Sequence, residues 1–307
     1  MVGTNRKIPA PILPPIDLTT VQQRTRGHEL YGKAKEAAAL GNFEGAIDFY
    51  SQALALNFSP KANSVTHMDR GNIYLKLKDE DRALADYNAA IRDDPANAGA
   101  YVNRGDVLGR RQMREKAIAD YGTALRLNPN QAEAYHNRAV EYLKTGDIDA
   151  AIHDLDVAIE LKPDLCESYL KRAMAYARKG NIARQLADLE TAANHATHCQ
   201  ETALNWLAWL RATSSGAAVR DGRRAVELAT QACERAQWSN PSYIDTLAAA
   251  YAEAGDFESA IKFEQMARAH LPSDSDSNED YEKRLHLFQA GHPYREDQTK
   301  AVASASE

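Results

Sequence analysis

His195, His198 and Cys199 lie within five residues of one another, a donor set suited to a thiophilic divalent metal. Zinc takes four ligands, and no second cluster stands out along the chain, so the plainer reading is a surface loop carrying two histidines. Asp274, Ser275, Asp276, Ser277 and Asn278 imitate the opening of a calcium loop. Glu279 stands where that loop needs glycine and Leu285 where it needs a closing acid, so the motif fails. Cys166, Cys199 and Cys233 are odd in number and far apart, which gives no disulfide framework and favours a reducing compartment. There is no Gly-rich phosphate loop, no nucleophile elbow and no H-E-x-x-H motif. The expectation is a chain with no catalytic residues, no metal and no cofactor.

A larger polar set is ordered by distance rather than by clustering. Arg70, Arg104, Arg138 and Arg172 stand 34 residues apart, and Asp86, Asp120, Asp154 and Asp188 follow them by 16. An arginine on a packing face needs a partner, and a bidentate carboxylate is the obvious one. A structural Arg–Asp ladder is therefore expected, with an anion-binding stripe as the functional alternative. The surroundings keep the same period. Asn103-Arg104-Gly105 returns as Asn137-Arg138-Ala139 and again as Lys171-Arg172-Ala173, with Asp69-Arg70-Gly71 one step earlier. Ala83 and Ala90, Ala117 and Ala124, and Ala151 and Ala158 are seven apart, about two helical turns, and so line one face. Pro95, Pro129 and Pro163 follow at the same 34-residue interval, each closing a helix. A chain that repeats at this period is an array of stacked helical hairpins.

With Ala83, Ala117 and Ala151 set at position 20 of a unit, position 4 is Tyr101, Tyr135 and Tyr169. Position 8 is then Gly71, Gly105, Ala139 and Ala173, and position 11 is Tyr74, Tyr142 and Tyr176. In these residues the chain resembles the tetratricopeptide repeat (TPR) family. "RDGRRAVELA" and "NPSYIDTLAAAYAEAGDFESA" look like the C-terminal units of bacterial TPR proteins. The resemblance implies an all-α TPR solenoid, a right-handed superhelix of helix–turn–helix repeats. About seven units are expected, near 27–60, 64–97, 98–131, 132–165, 166–199, 201–240 and 241–274. Gln185 replaces the alanine of the fifth, and the sixth carries a longer inner loop from Ser214 to Gly222. Residues 1–23 read as a proline-rich disordered tail, 275–291 as a linker and capping helix, and 292–307 as a flexible C-terminal tail.

In the family, the face of the first helix opposite its packing side lines a concave groove. Carried onto this chain, that face offers Lys35, Asp69, Asn72, Asn103, Asp106 and Arg110. Further along it offers Glu133, His136, Asn137, Lys144, Glu167, Lys171 and Arg178. A primary amide both donates and accepts, so Asn103 and Asn137, one repeat apart, could pair with the backbone of an extended peptide, or could only solvate the wall. Met68, Val102, Leu143, Leu170 and Met174 would add apolar contacts. The carboxylate clamp of chaperone-binding relatives fits less well. Asn72 and Asn103 could serve it, but Met68 replaces its first lysine, and Asp106, Glu133 and Glu167 would repel a carboxylate.

Composition narrows the partner. A formal charge of −6 and a pI near 5.9 speak against a nucleic-acid binder, which carries a basic footprint. The densest apolar stretch, Ala203 to Leu210, falls short of the ~18 residues that span a bilayer. Residues 1–16 hold no apolar h-region, so a cytoplasmic location is expected, or a periplasmic one if a signal sequence was removed. Pro9, Pro11, Pro14 and Pro15 make that stretch a stiff leader, with a proline-rich ligand motif as the alternative. The expected function is a protein–protein interaction scaffold or adaptor that holds an extended peptide or helix of a partner. The alternatives are a co-chaperone-like clamp on a partner's C-terminus and a non-catalytic recognition subunit of a larger enzyme complex.

Overall fold

The computed structural model of the protein describes residues 18–57, 59–195, 198–271 and 278–296. The proline tail up to residue 17, the acidic stretch 272–277 and the end from 297 lie outside the described residues. Among the described residues the regular structure is α-helical throughout, and the helices divide into two compact units.

The first unit, up to Pro129, contains three hairpins. They are α1 (Leu18–Ala39) with α2 (Phe43–Ala55), α3 (Pro60–Lys76) with α4 (Glu80–Asp93), and α5 (Ala98–Arg110) with α6 (Arg114–Leu127). The second unit, from Asn130, contains four. They are α7 (Ala132–Thr145) with α8 (Ile148–Leu161), α9 (Cys166–Arg178) with α10 (Ile182–Asn194), α11 (Gln200–Thr213) with α12 (Gly222–Arg235), and α13 (Pro241–Glu253) with α14 (Phe257–Ala269). A last helix, α15 (Asn278–Gln289), packs on α14 and α13.

Local chemistry explains where the helices start. Asn42, Asp79, Asp147, Asn181, Asp221 and Asp256 each precede a second helix and accept the backbone N–H three residues on. One of the four orphan donors of each helix start is thereby satisfied. Within each unit the close approach of helices is set by alanine: Ala46, Ala53, Ala83, Ala90, Ala117 and Ala124 in the first, and Ala151, Ala158, Ala225, Ala232, Ala260 and Ala267 in the second, are all sealed from solvent. Larger side chains there would overpack the contact, at a cost of about 1–3 kcal/mol each.

Two expected boundaries are corrected. The tail assigned to residues 1–23 gives way to helix at Leu18. Residues 21–26 are exposed, so they carry no packing pattern, and the helix runs back over them from the buried Leu30. The flexible tail assigned to 292–307 is docked over its first residues. Glu296 N–H donates to the Thr213 carbonyl (2.9 Å), Trp209 Nε1 donates to the Glu296 carboxylate (3.0 Å), and Arg295 pairs with Glu253 (2.6 Å). No helix among the described residues is long and apolar enough to cross a membrane.

Candidate functional site

The arginines on the packing side are held by internal partners. In the first unit Arg70 grips Asp86 through Nε (2.8 Å) and Nη2 (2.7 Å), and Arg104 grips Asp120 through the same atoms (both 2.7 Å). In the second, Arg138 holds Asp154 (2.6 and 2.8 Å) and Arg172 holds Asp188 (2.9 and 2.7 Å). The remaining Nη1 reaches back to the preceding hairpin at Ser51, Asn88 or Asp156 for Arg70, Arg104 and Arg172. Each of these three guanidinium groups therefore closes its own hairpin and staples it to the one before. Their main donors are consumed inside the protein, which argues against an anion stripe.

The opposite face of the first helices is also cross-linked, in ways that single positions did not reveal. In the first unit Tyr31 donates to Asp69 (2.6 Å), and the Lys35 ammonium lies 6.0 Å from the Tyr31 ring. Asn72 Oδ1 accepts from both Tyr87 Oη and Asn103 Nδ2, each at 2.8 Å. The Asn103 amide is thus already bonded to the neighbouring first helix. Asp106 accepts from Tyr121 (2.6 Å), and Arg110 stands exposed at the end of α5.

In the second unit α7 and α9 lie side by side. The His136 imidazole bonds Ser168 Oγ across them (2.9 Å), and burial holds its pKa below the ordinary histidine value. Asn137 is half-buried on α7. Glu133 is drawn off in a surface pair with Lys162 (2.8 Å). Arg178 Nη1 caps the Leu143 carbonyl (2.6 Å) in the last turn of α7, where orphan acceptors await a donor. Lys144 pairs with the buried Glu141 (2.7 Å). Lys171 is different. It is half-buried, shows no hydrogen-bonded or ion-paired partner among the described residues, and its pKa is lowered by burial and then by repulsion from Lys144 and Arg178. Leu143 and Leu170 are buried, so of the apolar groove residues only Met68, Val102 and Met174 keep partial exposure.

Two further clusters bring together residues that are far apart in the chain, the first adding Cys166 and Glu167 to His198 and Cys199. Cys166 and Cys199 are joined by a disulfide, with Cα atoms 6.1 Å apart, where no disulfide had been expected. Glu167 and His198 flank it, their Oε1 and Nε2 atoms 2.6 Å apart. The signal was the repeat itself, since residues about one period apart stand beside each other on successive hairpins, and these cysteines are 33 apart. Asp245, Glu264 and Arg284 form a second buried group, from α13, α14 and α15.

The fold and these faces define an all-α helical-hairpin repeat protein. Residues 71–112 and 114–146 match the family described as TPR repeat, and residues 132–165 match the tetratricopeptide repeat. The chain thus carries tetratricopeptide repeats over residues 71–165, and its helical-hairpin array is that of a TPR solenoid. Among curated proteins it is similar to a FAM10 family protein of Arabidopsis thaliana, 38% identical over 60 residues. That match covers 20% of this chain and only 13% of the relative's length. Among solved structures it is similar to a tetratricopeptide repeat protein from Parabacteroides merdae, with 16% identity, 86% of this chain and 99% of the other covered, and a TM-score of 0.54. Pseudomonas aeruginosa pilF is similar too, with 13% identity, coverage of 85% and 99%, and a TM-score of 0.55. At these identities the likeness concerns the fold.

Proposed function

We propose that the chain is a non-catalytic adaptor that binds an extended, acidic segment of a partner protein along the first helices of its second unit, with Lys171 as the central contact. The observation that carries this reading is the state of Lys171. A half-buried ammonium next to Lys144 and Arg178, without a paired acid, is an uncompensated positive charge that an incoming carboxylate would neutralise. The overall charge of −6 does not oppose this, because exposed charges beyond about 8 Å are screened at physiological salt. Asn137, half-buried on α7 of the same unit, is the amide that would meet the peptide backbone. Asn103 belongs to the first unit, where one of its N–H groups is bonded to Asn72, and is not part of this reading.

The carboxylate clamp is the weaker reading. Its two asparagines bond each other, and Glu133 and Glu167 stand at its basic positions. A cytoplasmic or periplasmic setting is part of the proposal, and the oxidation state of Cys166 and Cys199 in freshly isolated protein separates the two.

The test uses synthetic unstructured peptides rich in Glu, with Lys-rich controls, each with a free or an amidated C-terminus. Lys171→Met should weaken binding of the acidic peptide about tenfold, as expected for one charge-assisted bond of about 1.5 kcal/mol. The same change should leave the fold intact, because it removes a repulsion. Unchanged affinity in the folded variant would move the binding surface elsewhere. Dependence on the free C-terminus alone would favour the clamp.

A further inference from the structure

We propose that Cys166, Glu167, His198 and Cys199 form a redox-gated site for a divalent metal of the zinc type, available when the disulfide is reduced. The reading stands apart from the peptide face and does not depend on it. Four donor atoms, two Sγ, one Nε2 and one carboxylate oxygen, all lie within 4.8 Å of one another. A tetrahedral zinc with bonds of about 2.3 Å to sulfur and about 2.0 Å to nitrogen and oxygen needs S···N and S···O edges of roughly 3.5 Å. The structure already holds Cys199 Sγ at 3.7 Å from His198 Nε2 and Cys166 Sγ at 3.6 Å from Glu167 Oε2. The short Nε2···Oε1 approach of 2.6 Å is a hydrogen bond across the place where a cation would sit. Two edges of the polyhedron are therefore preset, and the remaining changes are small rotations once the sulfurs separate.

The elements fit the role. Cys166 opens α9 and Cys199 is the N-cap of α11, so two helix N-termini converge on the sulfurs and favour negative charge there. The sulfurs are buried, whereas the His198 and Glu167 side chains are 76% and 38% exposed. A metal can therefore enter from solvent, with soft ligands beneath it and hard ones at the rim. In the oxidised state the sulfur lone pairs belong to a disulfide, which is a poor ligand, and the site is closed. Opening it takes two electrons and two protons from a dithiol, which becomes a disulfide while Cys166 and Cys199 become thiols. The metal then displaces two protons to solvent as both thiolates bind. Either state links the start of α9 to the segment before α11, by a covalent bond or by a metal.

The full chain, reduced with dithiothreitol and desalted without oxygen, would be titrated with Co²⁺ alone. The expected result is one equivalent bound, with thiolate-to-cobalt charge-transfer absorption and the visible bands of tetrahedral cobalt, both lost on adding Zn²⁺. The oxidised chain should show neither. Cys166→Ser should about halve the charge-transfer band, the double change Cys166→Ser with Cys199→Ser should remove it, and His198→Ala should weaken binding by more than about tenfold. Because the His198 side chain is exposed, that variant should keep the wild-type helical circular dichroism and so separates ligation from folding. No tetrahedral spectrum in the reduced chain, full affinity in His198→Ala, or equal binding by the oxidised chain would each overturn the proposal.

Discussion

Gly71 and Gly105 sit where the first helix of a hairpin meets an aromatic ring of the second. A Cβ on Gly71 would lie 2.7 Å from Tyr87 Cε1, and one on Gly105 would lie 2.9 Å from Tyr121 Cε1. In the second unit the corresponding pairs are Ala139 with Leu155 and Ala173 with Leu189, all buried. A small residue facing a ring and a larger one facing leucine fill a similar space, so volume is conserved across the contact. The Tyr87 ring is fully buried and its hydroxyl is tied to Asn72, so it has little room to yield. Gly71→Ala should therefore destabilise the first unit by about 1–3 kcal/mol, read from chemical denaturation. Ala34 is tolerated near Tyr50 in the first hairpin, which points to the lower end of that range. Adding Tyr87→Leu rebuilds the Ala–Leu pair, and the double variant should lose less than the sum of the single losses by on the order of 1 kcal/mol. Strictly additive losses would mean that the ring simply moves aside.

At the scale of the element, a turn with one left-handed residue before the second helix recurs in six hairpins, the sixth in the chain having a longer loop instead. Lys78 in the second and Gln112 in the third replace glycine, and only the third also lacks a polar cap. Gly41, Gly146, Gly180 and Gly255 adopt positive φ just before a capping Asn or Asp. In the third hairpin Gln112 takes the same left-handed conformation (φ +59°), and Met113 stands at the N-cap of α6 with no side-chain bond to offer. A non-glycine residue there costs about 1–2 kcal/mol, and a missing polar cap about 1 kcal/mol. Gln112→Gly with Met113→Asp would copy the Gly146-Asp147 turn. After the added chain entropy of glycine is set against these terms, a net gain of about 1–2 kcal/mol is expected, seen by calorimetry as a higher melting temperature of the first unit. No gain would show that packing already fixes this turn. Such regularities explain why the hairpin array was legible in the chain: alanines seven apart and prolines 34 apart are local signals. What neighbours do across the period is harder to read. Asn103 presents the expected face, but only the structure shows it bonded to Asn72, and the pairing of Cys166 with Cys199 needed the same step from period to contact. The docking of Glu296 on Trp209 spans 87 residues and leaves no local mark at all.

At the scale of the whole molecule, a repeat array must end, and its last apolar face needs a cover. In the second unit α15 supplies it, burying Tyr281, Leu285 and Phe288, and it brings Arg284 with them. Arg284 Nε bonds Asp245 at 2.6 Å and lies 3.7 Å from Glu264, so one cation faces two acids in a sealed space. Burial, and then the Asp245 charge, push the Glu264 carboxyl from 4.5 up to about 10. A folded-state pKa raised this far makes the native state bind the extra proton. Its stabilising contribution is complete below the unfolded value of 4.5 and is lost progressively as pH rises towards about 10. The protein should therefore become easier to unfold in urea from about pH 6 to about pH 9, with the loss confined to the second unit. Glu264→Gln keeps the shape and cannot ionise, so it should flatten that slope and be at least as stable as the parent at the alkaline end. An unchanged slope in this variant would assign the pH dependence to other groups and leave Glu264 ionised beside Arg284. The arrangement joins the array's last two hairpin helices to its cover through one arginine, so proton loss at Glu264 should loosen α15 first. Amide exchange in α15 that quickens with pH beyond the intrinsic rate, ahead of that in α13, is the expected sign.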